Sequence, residues 1–355
     1  MERAHLMNLL KPHRTCLREF TGLTLLLTLL LTGEAWSAGT EQAKATESSS
    51  VKPSLILVQG AAGEESYQAK FTAWGDKWLA AAKLGEARVT SIGRDSTNAL
   101  LSLEQLRTAL SHEAKEGPAD LWIVLIGHGT FNGREAKFNL TGGDLSAAEL
   151  AALLQPFHRR VALVQCASAS APFIQSLSGP NRTILTATKS GAEQNFARYG
   201  DFLSASIGAL ESDLDKDGQV SLLEAHLTAS KRTTESYETE GKLATEHSLI
   251  DDNGDKLGTP ADWFRGIRAV KKAKDGSEPD GLRAHQLCLV PNDAERKLPV
   301  ETRQKRDALE LEVAQLREKK TTLDESEYYV QLEAILLQLS RLYRDAPSAQ
   351  RHPSP

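Results

Sequence analysis

Short apolar runs spaced too far apart for hairpins constrain this chain most. Ser54–Gln59, Ala87–Ile92, Leu121–Ile126, Val161–Gln165 and Thr183–Thr188 each carry strand-forming residues over five or six positions. The intervals between most of them hold segments with helical spacing. Tyr67–Lys83 carries Phe71, Trp74 and Trp78, and Leu103–Lys115 and Ser146–Leu154 follow; Gly200–Leu210 comes after the last strand. Strands that alternate with helices imply βαβ units, right-handed crossovers and a mainly parallel sheet covered on both faces. The expected fold class is therefore α/β, with 54–270 as its domain.

The flanks read differently. Residues 1–38 run from a basic stretch (Arg3, Lys11, Arg14, Arg18) through apolar Leu23–Leu31 to the small residues Ala35 and Ser37. That is the pattern of a signal peptide with its cleavage site, and the apolar run is short for a membrane span. A secreted or periplasmic protein is expected, with no stable membrane span after cleavage. Residues 39–53 are a polar linker, 271–298 a second linker, and 346–355 a disordered tail. Over 299–345, Leu309, Val313, Leu316 and Leu323, then Leu332, Leu336, Leu339 and Tyr343, recur at helical spacing. This reads as an α-helical hairpin packing on itself or on the domain, or as a coiled coil through which the chain dimerises. The chain is mildly acidic, with a formal net charge of −5, and has no Lys/Arg-rich run interleaved with aromatics. Nucleic acid is thus an unsuitable main partner. Past the signal segment two cysteines remain, Cys166 and Cys288, and an exported chain could pair them.

Two of the strands end in reactive residues. The third runs into Gly127-His128-Gly129 and the fourth into Cys166. The carboxyl edge of a parallel sheet is where sites are built, and a thiol within reach of an imidazole can perform nucleophilic acyl transfer. A lone cysteine at a strand end is also common packing material. Glycines beside His128 would admit a substrate and free N–H groups for an oxyanion.

At these residues the chain resembles the caspase-like cysteine peptidases (clan CD), the group of legumain, caspases, gingipains and separase. The resemblance spans about residues 54–259. It rests on the apolar strand ending in His128-Gly129 and on Cys166-Ala167-Ser168-Ala169-Ser170, similar to legumain's Cys-x-Ser-Gly-Ser stretch. It implies a caspase-like fold, a Cys166 nucleophile, His128 as general base and acid, and an oxyanion hole from the amides of Gly129 and Cys166. It also implies a peptide or protein substrate. Thr186–Glu193 resembles the segment lining the P1 pocket, so Ser168 and Glu193 are the expected substrate contacts, the latter favouring a basic side chain. Gln165 stands where the family carries alanine before its cysteine, and Ala169 where legumain has glycine. The competing expectation is a catalytically inactive calcium-binding scaffold or interaction protein.

Calcium is expected from the residues alone. Asp213, Asp215, Asp217 and Ser221 occupy positions 1, 3, 5 and 9 of an EF-hand-like loop, Gly218 the sharp turn and Glu224 position 12. The Gln219 carbonyl would add a ligand. Hard oxygen donors without cysteine or histidine suit Ca²⁺ rather than zinc or copper. A second cluster, Asp251-Asp252-Asn253-Gly254-Asp255, reads equally as a partial calcium site or as a turn rich in Asx hydrogen bonds.

Overall fold

A computed structural model describes residues 52–94, 101–271 and 278–345. The expected signal peptide, the first linker up to residue 51 and the tail lie outside them. The strands expected at Ser54–Gln59 (β1), Leu121–Ile126 (β3) and Val161–Gln165 (β7) form with those bounds, and β2 (Arg88–Ile92) and β8 (Arg182–Thr186) within two residues of theirs. Helices α1 (Glu65–Leu84), α2 (Ser102–His112), α3 (Ala147–Leu154), α4 (Pro172–Leu177), α5 (Tyr199–Ser206) and α6 (Leu222–Thr239) accompany them. A small three-stranded sheet of β4 (Gly129–Phe131), β5 (Ala136–Phe138) and β6 (Leu145–Ser146) projects after β3.

The main sheet has seven strands, in the order β10-β9-β8-β7-β3-β1-β2. The last five of these run parallel, while β9 (Leu249–Asp251) and β10 (Thr259–Pro260) add an antiparallel edge. The fold is α/β with a mainly parallel sheet and helices on both faces. Because β1, β3 and β7 are wholly buried, alternation within each strand sends side chains into two cores rather than into core and water. One core joins Trp122, Val124, Val164 and Cys166 to Phe71, Trp74 and Trp78 of α1, Leu203 of α5 and Leu222 and Ala225 of α6. The other joins Ile123, Leu125 and Leu163 to Leu106 and Leu110 of α2, Leu150 and Leu154 of α3 and Phe173 of α4.

Residues 278–298, expected as linker, are ordered instead. They carry two short helices, α7 (Leu282–His285) and α8 (Asp293–Lys297), with Leu287 and Leu289 buried in the first core. A minor ribbon, β11 (Phe264–Arg265) with β12 (Arg268–Ala269), precedes them. The C-terminal helices α9 (Val300–Glu318) and α10 (Glu325–Asp345) form the hairpin, which docks on the domain. Asp307 of α9 accepts Arg160 Nη1 at 3.1 Å and, through its carbonyl, Gln286 Nε2 at 2.9 Å. Along α10, Tyr329, Leu336, Leu337 and Tyr343 remain exposed. Cys166 and Cys288 are both free thiols, so no disulfide forms between them.

Candidate functional site

At the carboxyl edge of β3 the chain turns on Gly127, where a Cβ would meet the Phe138 ring at 2.9 Å and Gly60 Cα at 3.1 Å. That turn sets the His128 ring edge-on against Tyr67 and Phe71, with centroids 4.7 and 5.1 Å away, and close to Phe196 at 6.1 Å. His128 Nε2 lies 3.2 Å from the Ala62 carbonyl oxygen. A carbonyl only accepts, so Nε2 carries the proton and a neutral ring keeps Nδ1 as an acceptor. An imidazole oriented in this way is suited to be a general base.

Cys166 occupies a different environment. Its amide donates to Leu125 O at 3.0 Å and continues the ladder between β3 and β7 by one residue. Strand alternation therefore continues too, and the side chain joins Ala162 and Val164 in the core beneath α1 and α5. It is 1% exposed. Gly200 covers it closely: a Cβ on that glycine would stand 2.8 Å from Cys166 Cβ and 2.9 Å from the Trp74 ring. Burial pushes the thiol up to about 12, and the charge of Glu246 adds to the shift. A nucleophilic cysteine is favoured by a cation or a free helix N-terminus; here the start of α5 lies against the thiol, but its amides are already capped by the anionic Glu246. Among the described residues no hydrogen bond joins Cys166 to His128.

Of the two amides expected to form an oxyanion hole, those of Gly129 and Cys166, the Cys166 amide donates to Leu125 O. The expected substrate contacts are likewise engaged. Ser168 Oγ donates to Gly129 O at 3.1 Å. The Glu193 carboxylate takes the Lys189 and His247 amides at 2.9 and 3.2 Å and meets His247 Nδ1 at 2.6 Å. It clamps two loops together. Gln165, buried at the end of β7, accepts the Ala167 amide on Oε1 at 3.1 Å. Ala169 sits at φ +54°, the left-handed conformation that suits the glycine whose place it takes.

Sequence reasoning missed Glu246, which stands 80 residues beyond Cys166. It is 3% exposed, accepts the Arg198 and Tyr199 amides at 2.7 and 2.9 Å, and takes the Tyr237 hydroxyl at 3.0 Å. It thereby caps the start of α5 from another part of the chain. Burial raises its pKa, against the pull of those three donors.

The acidic loop before α6 has the turn its spacing calls for. Asp213 accepts Lys216 N on Oδ1 (2.6 Å) and Gly218 N on Oδ2 (3.0 Å); Asp215 accepts Asp217 N, and Asp217 accepts Gln219 N. Lys216 and Gly218 adopt φ +65° and +88°. Carboxylate oxygens of Asp213, Asp215 and Asp217 lie within 4.8 Å of one another, as do ligand atoms of Asp215, Glu224 and His285. Glu224 accepts Leu214 N on Oε1 at 2.7 Å and Ser221 N on Oε2 at 2.9 Å, and closes a capping box with Ser221 at the start of α6. Burial and the charges of Asp215 and Glu224 raise the pKa of Asp217, opposed by the Gln219 bonds. Three convergent hard-oxygen donors at this spacing fit a divalent cation. His285, with Nε2 2.9 Å from Asp215 Oδ2, and Asn292, which donates from Nδ2 to Asp217 O at 3.1 Å, close the far side of the loop. Both come from the segment expected as linker.

No family model and no curated protein matches the chain. Among solved structures it is similar to the Drosophila initiator caspase Dronc at 10% identity and a TM-score of 0.38, over 59% of this chain and 83% of that one. It is similar to a secreted C11 cysteine protease from Bacteroides thetaiotaomicron, solved with an irreversible peptide inhibitor, at 10% identity and a TM-score of 0.34, over 56% and 66%. A third is a protein from Geobacter sulfurreducens, at 14% identity and a TM-score of 0.34, over 51% and 89%.

Proposed function

We propose that the chain is an exported, non-hydrolytic calcium-binding module on a caspase-like frame, acting as a scaffold or interaction protein toward a peptide or protein partner. The observation that carries this reading is the placement of Cys166. Its side chain points into the core, 1% exposed, beside Glu246, with its amide bonded to Leu125. The calcium part is supported by the convergence of Asp213, Asp215 and Asp217, with Gln219, Ser221 and Glu224 at the remaining loop positions. Export is supported by the basic, apolar and small-residue order of residues 1–38.

One observation favours a second reading. His128, oriented by Ala62 O with Nδ1 left to accept, is set up as the base of a cysteine peptidase. That reading requires Cys166 to leave the core and ionise. Labelling with a peptidyl electrophile separates the two. The thiol, at about 12, holds almost no thiolate below pH 10, so Cys166 should stay unmodified from pH 6 to 10, with or without calcium. Labelling at Cys166 with a midpoint near neutrality, together with peptide hydrolysis abolished in Cys166→Ala, would establish the peptidase and overturn the scaffold.

A further inference from the structure

Helix α10 has two apolar sides, and the hairpin uses one of them. Tyr328, Leu332, Ile335, Leu339 and Leu342 are buried or partly buried and share one side, as packing against α9 requires. Tyr329, Val330, Leu336, Leu337 and Tyr343 keep between 45% and 63% of their surface in solvent. Tyr329, Leu336 and Tyr343 stand seven residues apart, and so do Val330 and Leu337. That is the period of a helix that lies along another helix. Tyr329, Leu332, Glu333, Leu336 and Leu337 line a shallow recess of about 390 Å³ on this face. Their spacing of three, four, seven and eight residues from Tyr329 is that of the hole which receives one side chain from a facing helix. Lys320, over the Tyr329 ring at 5.7 Å, marks the end of the face.

A single exposed leucine is ordinary, but a contiguous apolar row marks a surface that something covers. The charges along α10 say what, and in which direction. Glu325 and Glu327 stand in the first turn and Glu333 follows on the face itself; Arg341 and Arg344 stand in the second half, with one acid, Asp345, after them. A second copy laid parallel would set Glu333 against Glu333 within the apolar seam, and each acidic start against the other. Laid antiparallel, each acidic half lies over the other copy's arginines. Leu336 and Leu337, next to the midpoint of the 21-residue helix, then meet their own counterparts. A face that complements itself under a two-fold rotation is what an isologous dimer needs.

We propose that α10 is the interface of a homodimer, paired antiparallel with α10 of a second copy, so that Leu336 and Leu337 of each enter the recess of the other. Glu325 and Glu327 then stand within a turn of Arg344 and Arg341 of the second copy. From Tyr329 to Tyr343 the face is about 21 Å long, or about two heptads. An interface that small exchanges with concentration rather than holding permanently. Neither the calcium loop nor Cys166 enters it.

Sedimentation velocity of the whole chain over a range of concentrations tests it, with thermal melting as a check on folding. The wild type should pass from monomer to dimer as concentration rises. Leu336→Glu/Leu337→Glu should raise the dimer Kd by about a hundredfold or more, because it puts charges at the centre of the seam. Both leucines are half exposed, so the melting of the monomer should not change. Should that variant misfold, Tyr329→Glu carries the same expectation at the rim of the recess. Glu325→Arg/Glu327→Arg should weaken an antiparallel pair about tenfold, by placing arginine against arginine, and leave a parallel pair unchanged. A wild type that stays monomeric at every concentration overturns the dimer, whatever else the face then binds. A dimer that survives both Leu336→Glu/Leu337→Glu and Tyr329→Glu lies elsewhere on the molecule and overturns it too. A folded Glu325→Arg/Glu327→Arg chain that dimerises as well as the wild type overturns the antiparallel arrangement.

Discussion

Replacing Glu246 by alanine is expected to destabilise the chain by about 4 kcal/mol, the cost of leaving buried donors without an acceptor. The Arg198 and Tyr199 amides and the Tyr237 hydroxyl all lose their acceptor at once. The two amides begin α5, whose own N-cap side chain, Arg198, makes no capping bond, so nothing local replaces the carboxylate. For a unit of this size the loss corresponds to a fall in melting temperature of about 8–16 °C. Glu246→Gln keeps one acceptor oxygen and should fall about half as far. Differential scanning calorimetry of the two variants would decide the matter. An alanine variant within about 1 kcal/mol of the wild type would mean that water serves those donors and that the carboxylate does not hold α5.

Adding calcium is expected to raise the melting temperature by about 5–10 °C. A loop of the kind at Asp213–Glu224 in extracellular modules binds with Kd about 10⁻⁴ M, and a ligand held only by the native state at a hundred times its Kd contributes about 2.7 kcal/mol. The measurement is a melt at about 10 mM calcium against a melt in chelator. Asp215→Asn keeps the side-chain volume and still accepts from Asp217 N, but removes a charge from the centre of the cluster. It should therefore fold normally and lose most of the rise due to this loop. An equal rise in wild type and variant would place the ion elsewhere, and no rise in the wild type would remove the site altogether.

Much of the frame was legible because apolar runs and helical spacing are local signals. β1, β3 and β7 follow from continuous buried residues, and α9 with α10 from their repeats. The antiparallel edge was not legible, since β9 and β10 hold two or three residues each and neither has a period to read. The linker expected at 271–298 failed for a related reason. Its charges suggested solvent, yet Asp280, His285 and Asn292 face the two acidic loops. The direction of Cys166 is more instructive. Alternation from Ala162 through Val164 to Cys166 was visible in the sequence, but a central strand has a core on each side, so period alone could not say what lay above the thiol. Gly200 and Trp74 decide that, and they come from helices far apart in the sequence, α5 and α1.

Helix α7 is only four residues long and touches both acidic loops. The Ala284 amide is held by Asp252 in one, and the His285 ring meets Asp215 in the other. At about 1.5 Å of rise per residue, these attachments are separated by less than one helical turn. Two loops far apart in sequence are thus fastened to adjacent residues of one short helix. A displacement of α7 would therefore reach both acidic loops at once.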